Sequence, residues 1–415
     1  MNHLDPLEQS LFEQIAALPV LDAHEHLPEE SEFLATKHPD VFLLFGHYLH
    51  NDLITAGMTR AQYDSLYDPE IPLATRWASV RPFWQYAQHT SYAHAAQIAA
   101  HRLYGFDEIS DATYEPLSAA IAADHTPGLY DRLLRQRCGI EKALTQIWRL
   151  LRAPDDLLIP LMPITDWTDV TSREFVAARA QELDGSVETL EEYVALMAAG
   201  LAFWQAEGVV GVKTISADLG EPDQPAAEAA WAALPGLAAP GALPPRALTS
   251  YLAHRLYAQA GELDLPVAVH CGYNWTNWGD FLASDPRFIQ PTLSRYRATR
   301  FDLYHAGMPW VRLTGALGKS CPNAWLNLCW CYIMGEEMSC SLLDEWLDMV
   351  PVNKLIAFGG DYCIPHKVIG HLEMARVTWA RVLARRLRRG RLSEQSALEI
   401  ARLAFYENPK ALYRE

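Results

Sequence analysis

Two spacings of apolar residues run through this chain. Eight short runs are dense in aliphatic or β-branched side chains: "PVLDAHEH" (19–26), "EKALTQI" (141–147), "LLIPLMPI" (157–164), "VVGVKTI" (209–215), "LPVAVHC" (265–271), "FDLYHAG" (301–307), "AWLNLCW" (324–330) and "KLIAFGGD" (354–361). Between them lie longer stretches whose apolar residues recur at helical spacing. Runs of about 4–8 residues bounded by turn formers read as buried strands, and the stretches between as amphipathic helices. Strands alternating with helices predict βα units on a parallel sheet. Eight of them predict closure into a (β/α)8 TIM barrel, an α/β fold.

Two connections exceed ordinary βα loops. Residues 28–136 carry aromatic and apolar residues at helical spacing ("RPFWQYAQHTSYAHAAQIAAHRLYGF"). They predict a helical insertion after strand one, within a single barrel domain spanning 1–415. Both ends of that insertion leave the same barrel face, so it is expected to cap the mouth, with His47, His50 and Arg81 able to reach down. A dimer interface is the competing use of its aromatic helices. Residues 217–246, rich in Ala, Pro and Gly, predict a helix and loop. The final "SEQSALEIARLAFYENPKALYRE" predicts two amphipathic helices, broken at Asn408-Pro409, on the outside of the barrel.

Composition narrows the function classes. The 415 residues are enough to bury a large core, and the net charge of -17 opposes phosphate-backbone binding, so no nucleic-acid partner is expected. The N-terminus lacks a basic and apolar leader, and no run of about 18 apolar residues occurs, so a cytoplasmic protein with no membrane partner is expected. A small-molecule substrate fits this picture, as does a homo-oligomer. The seven cysteines show no paired C-x-x-C spacing; Cys329 and Cys331 alternate on the seventh predicted strand and read as buried free thiols.

Barrel enzymes carry their chemistry at the C-terminal ends of strands. His24 and His26 end strand one, Lys213 lies near the end of strand four, His270 ends strand five, His305 follows strand six and Asp361 ends strand eight. Residues i and i+2 of a strand share a face, so two imidazoles can converge on one cation. Taken singly, each has an ordinary role: a packed core histidine, a snorkelling lysine, an N-capping aspartate. Together they put six metal-binding or ionisable groups on one rim.

This set, with "GVVGVKTISADL", "LPVAVHCGYN", "YHAGMPW" and "LIAFGGDYCIPH", resembles the amidohydrolase superfamily, and within it the FluG-type metal-dependent hydrolases. The segment "GHYLHNDLITAGM" and the Trp-rich helices after it are similar to the helical cap of uronate isomerases. The resemblance implies a metal site of one or two divalent ions, zinc foremost, with His24, His26, Lys213, His270, His305 and Asp361 as ligands. It implies a hydrolase of an amide, lactone or similar bond, in which the metal activates water, Asp361 shuttles the proton and His305 assists catalysis. The alternative is a non-hydrolytic isomerase or lyase acting on a sugar acid or aromatic acid.

Lys213 shares the parity of Val209 and Gly211 and should point into the mouth, where burial and neighbouring charge depress an amine. It could then become a carbamate bridging two metals, or stay an amine beside one. For substrate contacts the strand-five loop offers Tyr273, Asn274 and Trp275. His366 after strand eight and Arg81 of the insertion are further candidates, with Asp280 as part of the wall. Arg295, Arg297 and Arg300 precede strand six and could meet a carboxylate, although for at least two of them a solvated helix face is the preferred reading.

Overall fold

A computed structural model describes residues 4–36, 39–147, 150–151, 156–215 and 217–415, with only the backbone of Phe281. Eight parallel strands follow one another in chain order: β1 (Val20–Glu25), β2 (Ile140–Gln146), β3 (Leu158–Pro163), β4 (Gly211–Thr214), β5 (Val267–Val269), β6 (Phe301–Leu303), β7 (Ala324–Asn327) and β8 (Leu355–Ile356). Each coincides with one of the eight apolar runs, β2 starting one residue before its run. Backbone bonds from Ala23 N to Phe358 O (3.1 Å), from Asp361 N to His24 O (2.8 Å) and from His26 N to Tyr362 O (3.0 Å) bring β1 against the chain just after β8. The result is a (β/α)8 barrel. Cys329 and Cys331 lie beyond the end of β7; both are buried free thiols, and Cys331 opens a short helix.

The barrel interior is filled from several strands by Leu21, Ala23, Leu144, Leu161, Ala268 and Ile356, together with Tyr304 and Cys329. Leu412 and Tyr413 join this cluster from the C-terminal helix. That corrects the expected placement of the tail on the outside. The helix Glu394–Arg402 runs through a π-helical turn, Leu403–Glu407, directly into Asn408–Tyr413, with helical backbone at Glu407 and Asn408, so Pro409 does not break it. Asn408 Nδ2 donates to Val352 O and Leu355 O, both at 2.7 Å. These carbonyls lie at the start of β8, so the tail closes the lower end of the barrel. An amphipathic pattern specifies a buried face but not what it is buried against.

The region after β1 is helical, with Leu49–Thr55, Leu73–Ala87, Ser91–Tyr104 and Tyr114–Asp124 as its main helices. Its core is aromatic: Trp77 stacks on Tyr114 at 4.9 Å, and Phe45 meets Trp84 at 4.8 Å. The helix Ser91–Tyr104 lies along Pro365–Arg388, a 24-residue helix buried over most of its length. A Cβ on Gly370 would collide with the Ala95 carbonyl, so glycine allows the two backbones to touch. Among the described residues, no helix is long and apolar enough to cross a membrane.

Candidate active site

The first two candidate ligands are aimed by an irregularity in β1. From Asp22 to Glu25 that strand advances three residues while β2 advances two, from Ala143 to Thr145. One extra residue in a strand reverses the faces that later side chains take. Leu21 and Ala23 therefore face the barrel interior, and beyond the bulge His24 and His26 face a cavity of about 320 Å³ at the upper mouth.

Lys213 on β4, His270 one residue past β5, His305 just past β6 and Asp361 beyond β8 line the same cavity. Asp361 is carried there by two glycines. A Cβ at Gly359 would lie 3.0 Å from His24 N, and one at Gly360 would collide with the Glu25 carboxylate. Asp361, His305 and Trp330 hold φ of 59°, 61° and 66°, the left-handed region that side chains disfavour. Such strain costs about 1–3 kcal/mol per residue and clusters at functional sites.

The six groups differ in how they meet. His24 Nε2 and His26 Nε2 each lie 3.1 Å from Asp361 Oδ1, and His305 Nδ1 lies 3.7 Å from Asp361 Oδ2. One donor atom from each of His24, His305 and Asp361 fits within a 4.8 Å span. His270 is engaged differently: its Nε2 is 2.9 Å from Tyr273 O and its Nδ1 is 3.0 Å from His305 Nε2. A carbonyl only accepts, so His270 donates from Nε2 and its Nδ1 lone pair faces His305 Nε2. His305 Nδ1, on the other side of its ring, has the Cys329 carbonyl oxygen and thiol sulfur each 3.3 Å away, besides the Asp361 carboxylate. Lys213 Nζ sits 4.7 Å over the Tyr304 ring.

Burial sets the charges. It pushes His24 down to about 3 and His270 to about 4, and holds His305 well below the usual range, so all three are neutral near pH 7. Burial also lowers the Lys213 amine. For Asp361 burial works the other way, but the imidazoles of His24, His26 and His305 hold it well below the ordinary carboxylate range. Neutral imidazoles with one carboxylate are the protonation state that a divalent cation requires. One further observation fits a cation: both ring nitrogens of His24 are buried without a hydrogen-bond partner among the described residues. Its Nε2 has hydrogen-bond separation from Asp361 but not the alignment, as expected for two donors aimed at a shared third point.

The wall comes partly from the insertion. His47 and Tyr48 line the cavity, with Gln146, Ile215, Trp275 and Trp330. Tyr48 stacks on His47 at 3.9 Å and on Trp330 at 4.5 Å, and its hydroxyl faces the Asp361 carboxylate. The Lys367 amine, buried and pushed down to about 7, donates to Gly46 O at 2.7 Å and so pins the loop bearing His47 and Tyr48. Sequence reasoning missed Gln146, Tyr48, Ile215, Trp330 and Lys367. Gln146 shares the parity of the inward-facing Leu144, and Trp330 follows β7, so both carried a usable signal.

Several expected contacts lie elsewhere. Arg81 points to solvent and pairs with Asp111 at 3.3 Å, because it sits on the outer face of its helix. His366 is fully buried but turned from the barrel axis, against Phe33 and Tyr104. Asp280 is an exposed cap, accepting from Leu282 N at 2.9 Å. Tyr273 and Asn274 belong to the strand-five loop; Tyr273 meets Trp330 at 5.5 Å, but among the described residues of this loop only Trp275 lines the cavity itself. His50 packs at 5.5 Å against the Trp275 ring, behind the wall. Arg295 pairs with Glu221, Arg300 pairs with Asp264 at 3.0 Å, and Arg297 bonds to Ser294 O at 3.2 Å.

Comparison with known proteins identifies the family and the fold. The amidohydrolase family model matches residues 165–414. Protein fluG of Emericella nidulans is 24% identical over 157 residues, covering 38% of this chain and 18% of that protein. The uronate isomerase of Thermotoga maritima superposes with a TM-score of 0.79 at 15% identity, over 99% of this chain and 98% of the other. The glucuronate isomerase of Caulobacter crescentus gives 0.78 at 16% identity, over 100% and 97%. A Lactobacillus casei protein described as a metal-dependent hydrolase gives 0.63 at 15% identity, over 97% of each. With the family model covering more than half of the sequence and the barrel shared end to end with these structures, the chain belongs to the amidohydrolase family.

Proposed function

We propose that the protein is a metal-dependent hydrolase that cleaves an amide, lactone or similar bond in a small substrate. The observation that carries this reading is the convergence of His24 Nε2 and His26 Nε2 on Asp361 Oδ1, each at 3.1 Å, with His305 Nδ1 3.7 Å from Oδ2. These four residues would hold one divalent cation, zinc foremost. When bound, such an ion activates water at neutral pH and polarises a carbonyl oxygen.

The chain's own residues supply the rest. Asp361, held ionised, has Oδ2 left to accept a proton and return it to the leaving group. His270 orients His305 and is a positioning residue in this scheme, not a ligand. Lys213, its Nζ 4.7 Å over the Tyr304 ring, stays an amine that hydrogen-bonds substrate. Tyr48 and Trp330 exclude bulk water from the site.

A second reading, sugar-acid isomerisation, is favoured by the end-to-end fold likeness to the two uronate isomerases, insertion included. Hydrolysis ranks first because Ile215, Trp275 and Trp330 make much of the wall above the ligands apolar, leaving His47, Tyr48 and Gln146 as its polar groups, a sparse lining for a polyhydroxylated chain. Metal-loaded protein should be assayed in parallel on N-acyl amino acids, lactones, γ-glutamyl compounds and uronates. Turnover in one of the first three, with about one transition metal per chain, supports hydrolysis. Uronate isomerisation alone replaces it with the second reading, and failure to bind any transition metal overturns both.

A further inference from the structure

Rings in the cavity form a continuous strip from the solvent to the ligands. Trp275 lies 6.3 Å from His47, His47 stacks on Tyr48 at 3.9 Å, Tyr48 stacks on Trp330 at 4.5 Å, and Trp330 meets His305 edge-on at 5.1 Å. At the outer end the strip is open: Trp275 is 46% exposed and Ile215, also lining the cavity, is 56% exposed.

A single exposed tryptophan is ordinary on a protein surface. This one is held. Asn51 Nδ2 donates to Trp275 O, and Asn277 Nδ2 donates to Asn51 O at 3.2 Å and to Thr55 Oγ1 at 3.3 Å. The strand-five loop is thus tied to the insertion helix Leu49–Thr55, and the exposed apolar surface is fixed before anything binds. A pre-organised apolar surface continuous with a polar pocket is what an amphipathic ligand exploits.

We infer that the substrate is amphipathic: a polar end seated at His24, His26 and Asp361, and an aromatic or branched aliphatic arm lying between Trp275 and Ile215. This rests on the cation site proposed above, whichever reaction that site performs. Trp275 is then a specificity-determining residue, setting affinity for the arm.

Metal-loaded protein titrated with two hydroxamic acids tests it by calorimetry, without turnover. Acetohydroxamate presents only the chelating head, whereas phenylacetohydroxamate adds the aromatic arm. Burying a phenyl group should make the second bind about 30-fold more tightly. In Trp275→Ala that advantage should fall below about 3-fold while acetohydroxamate affinity stays within about 2-fold, with the circular dichroism spectrum unchanged. Equal affinities in the wild type, or an advantage that survives Trp275→Ala, overturn the inference and leave the cation site standing. If neither compound binds, the cation site falls and the inference with it. Light scattering adds one arm: a dimer lost in Trp275→Ala, with the wild type showing no preference between the two compounds, assigns the lip to a second copy of the chain.

Discussion

Asp361 at the upper end of the barrel and Asp302 towards its lower end are both enclosed, yet they hold protons in opposite ways. Asp302 accepts from Asn327 Nδ2 at 3.0 Å and from Tyr413 OH at 2.8 Å, and burial still raises it to about 7. Asp361 is 3% exposed and stays well below the ordinary range. The difference lies in the neighbours. Both donors to Asp302 reach one oxygen, Oδ2, and do not offset the loss of water, whereas the imidazoles of His24, His26 and His305 surround both oxygens of Asp361 and hold its carboxyl down. The lower carboxyl is thus held protonated up to near neutral pH, and the upper one is held as a carboxylate.

The largest expected effect comes from removing the imidazoles. His24→Ala or His26→Ala should abolish turnover, with metal content by plasma emission falling towards zero and thermal unfolding still cooperative, because strand-end groups carry function while the layers beneath carry stability. Full activity in either variant would remove the metal reading. Next, Asp361→Asn should retain part of the metal but lose about 10²–10⁴ in kcat, the usual contribution of a positioned base. A kcat near wild type would reduce Asp361 to a ligand or cap.

Asp302→Asn probes the other side of the comparison, and its effect depends on pH. The folded-state pKa lies above the ordinary 3.8, at about 7, so the stability tied to that proton is complete below the unfolded value and is lost as pH rises through the folded one. From about pH 5 to pH 8 the wild type should lose about 2–3 kcal/mol relative to the variant in urea unfolding. Parallel curves would mean that Asp302 is already ionised when folded. The smallest effect is expected at Arg81→Ala. Its pairing with Asp111 is exposed on both sides, so stability should change by less than about 1 kcal/mol and kinetics not at all. A raised KM would return Arg81 to the substrate site.

What could be read in advance follows from where information is local. A strand such as "LPVAVHC" declares itself by its own apolar run, and a barrel rule then places His270 on the rim without further help. All six predicted ligands lie around one cavity for that reason. The division of labour among them was not legible, because it depends on a contact between loops: the Tyr273 carbonyl fixes which His270 nitrogen faces His305. Tyr48 and Arg81 show the same limit inside the insertion. Both sit in helix-forming sequence, and only the packing of helices against the barrel decides that one lines the cavity and the other meets solvent. Leu412 and Tyr413 look like any outer helix face until the barrel's lower opening exists to receive them.

The backbone contact between Gly370 and Ala95 bears on how ligands enter. Helices packed main chain to main chain resist sliding past one another, so the insertion holds its register along Pro365–Arg388. Entry and exit then fall to the loops after β4 and β5, where Ile215 and Trp275 stand in solvent. The same joint governs recombination: a chimaera carrying a relative's insertion should fold only when the helix Pro365–Arg388 is exchanged with it.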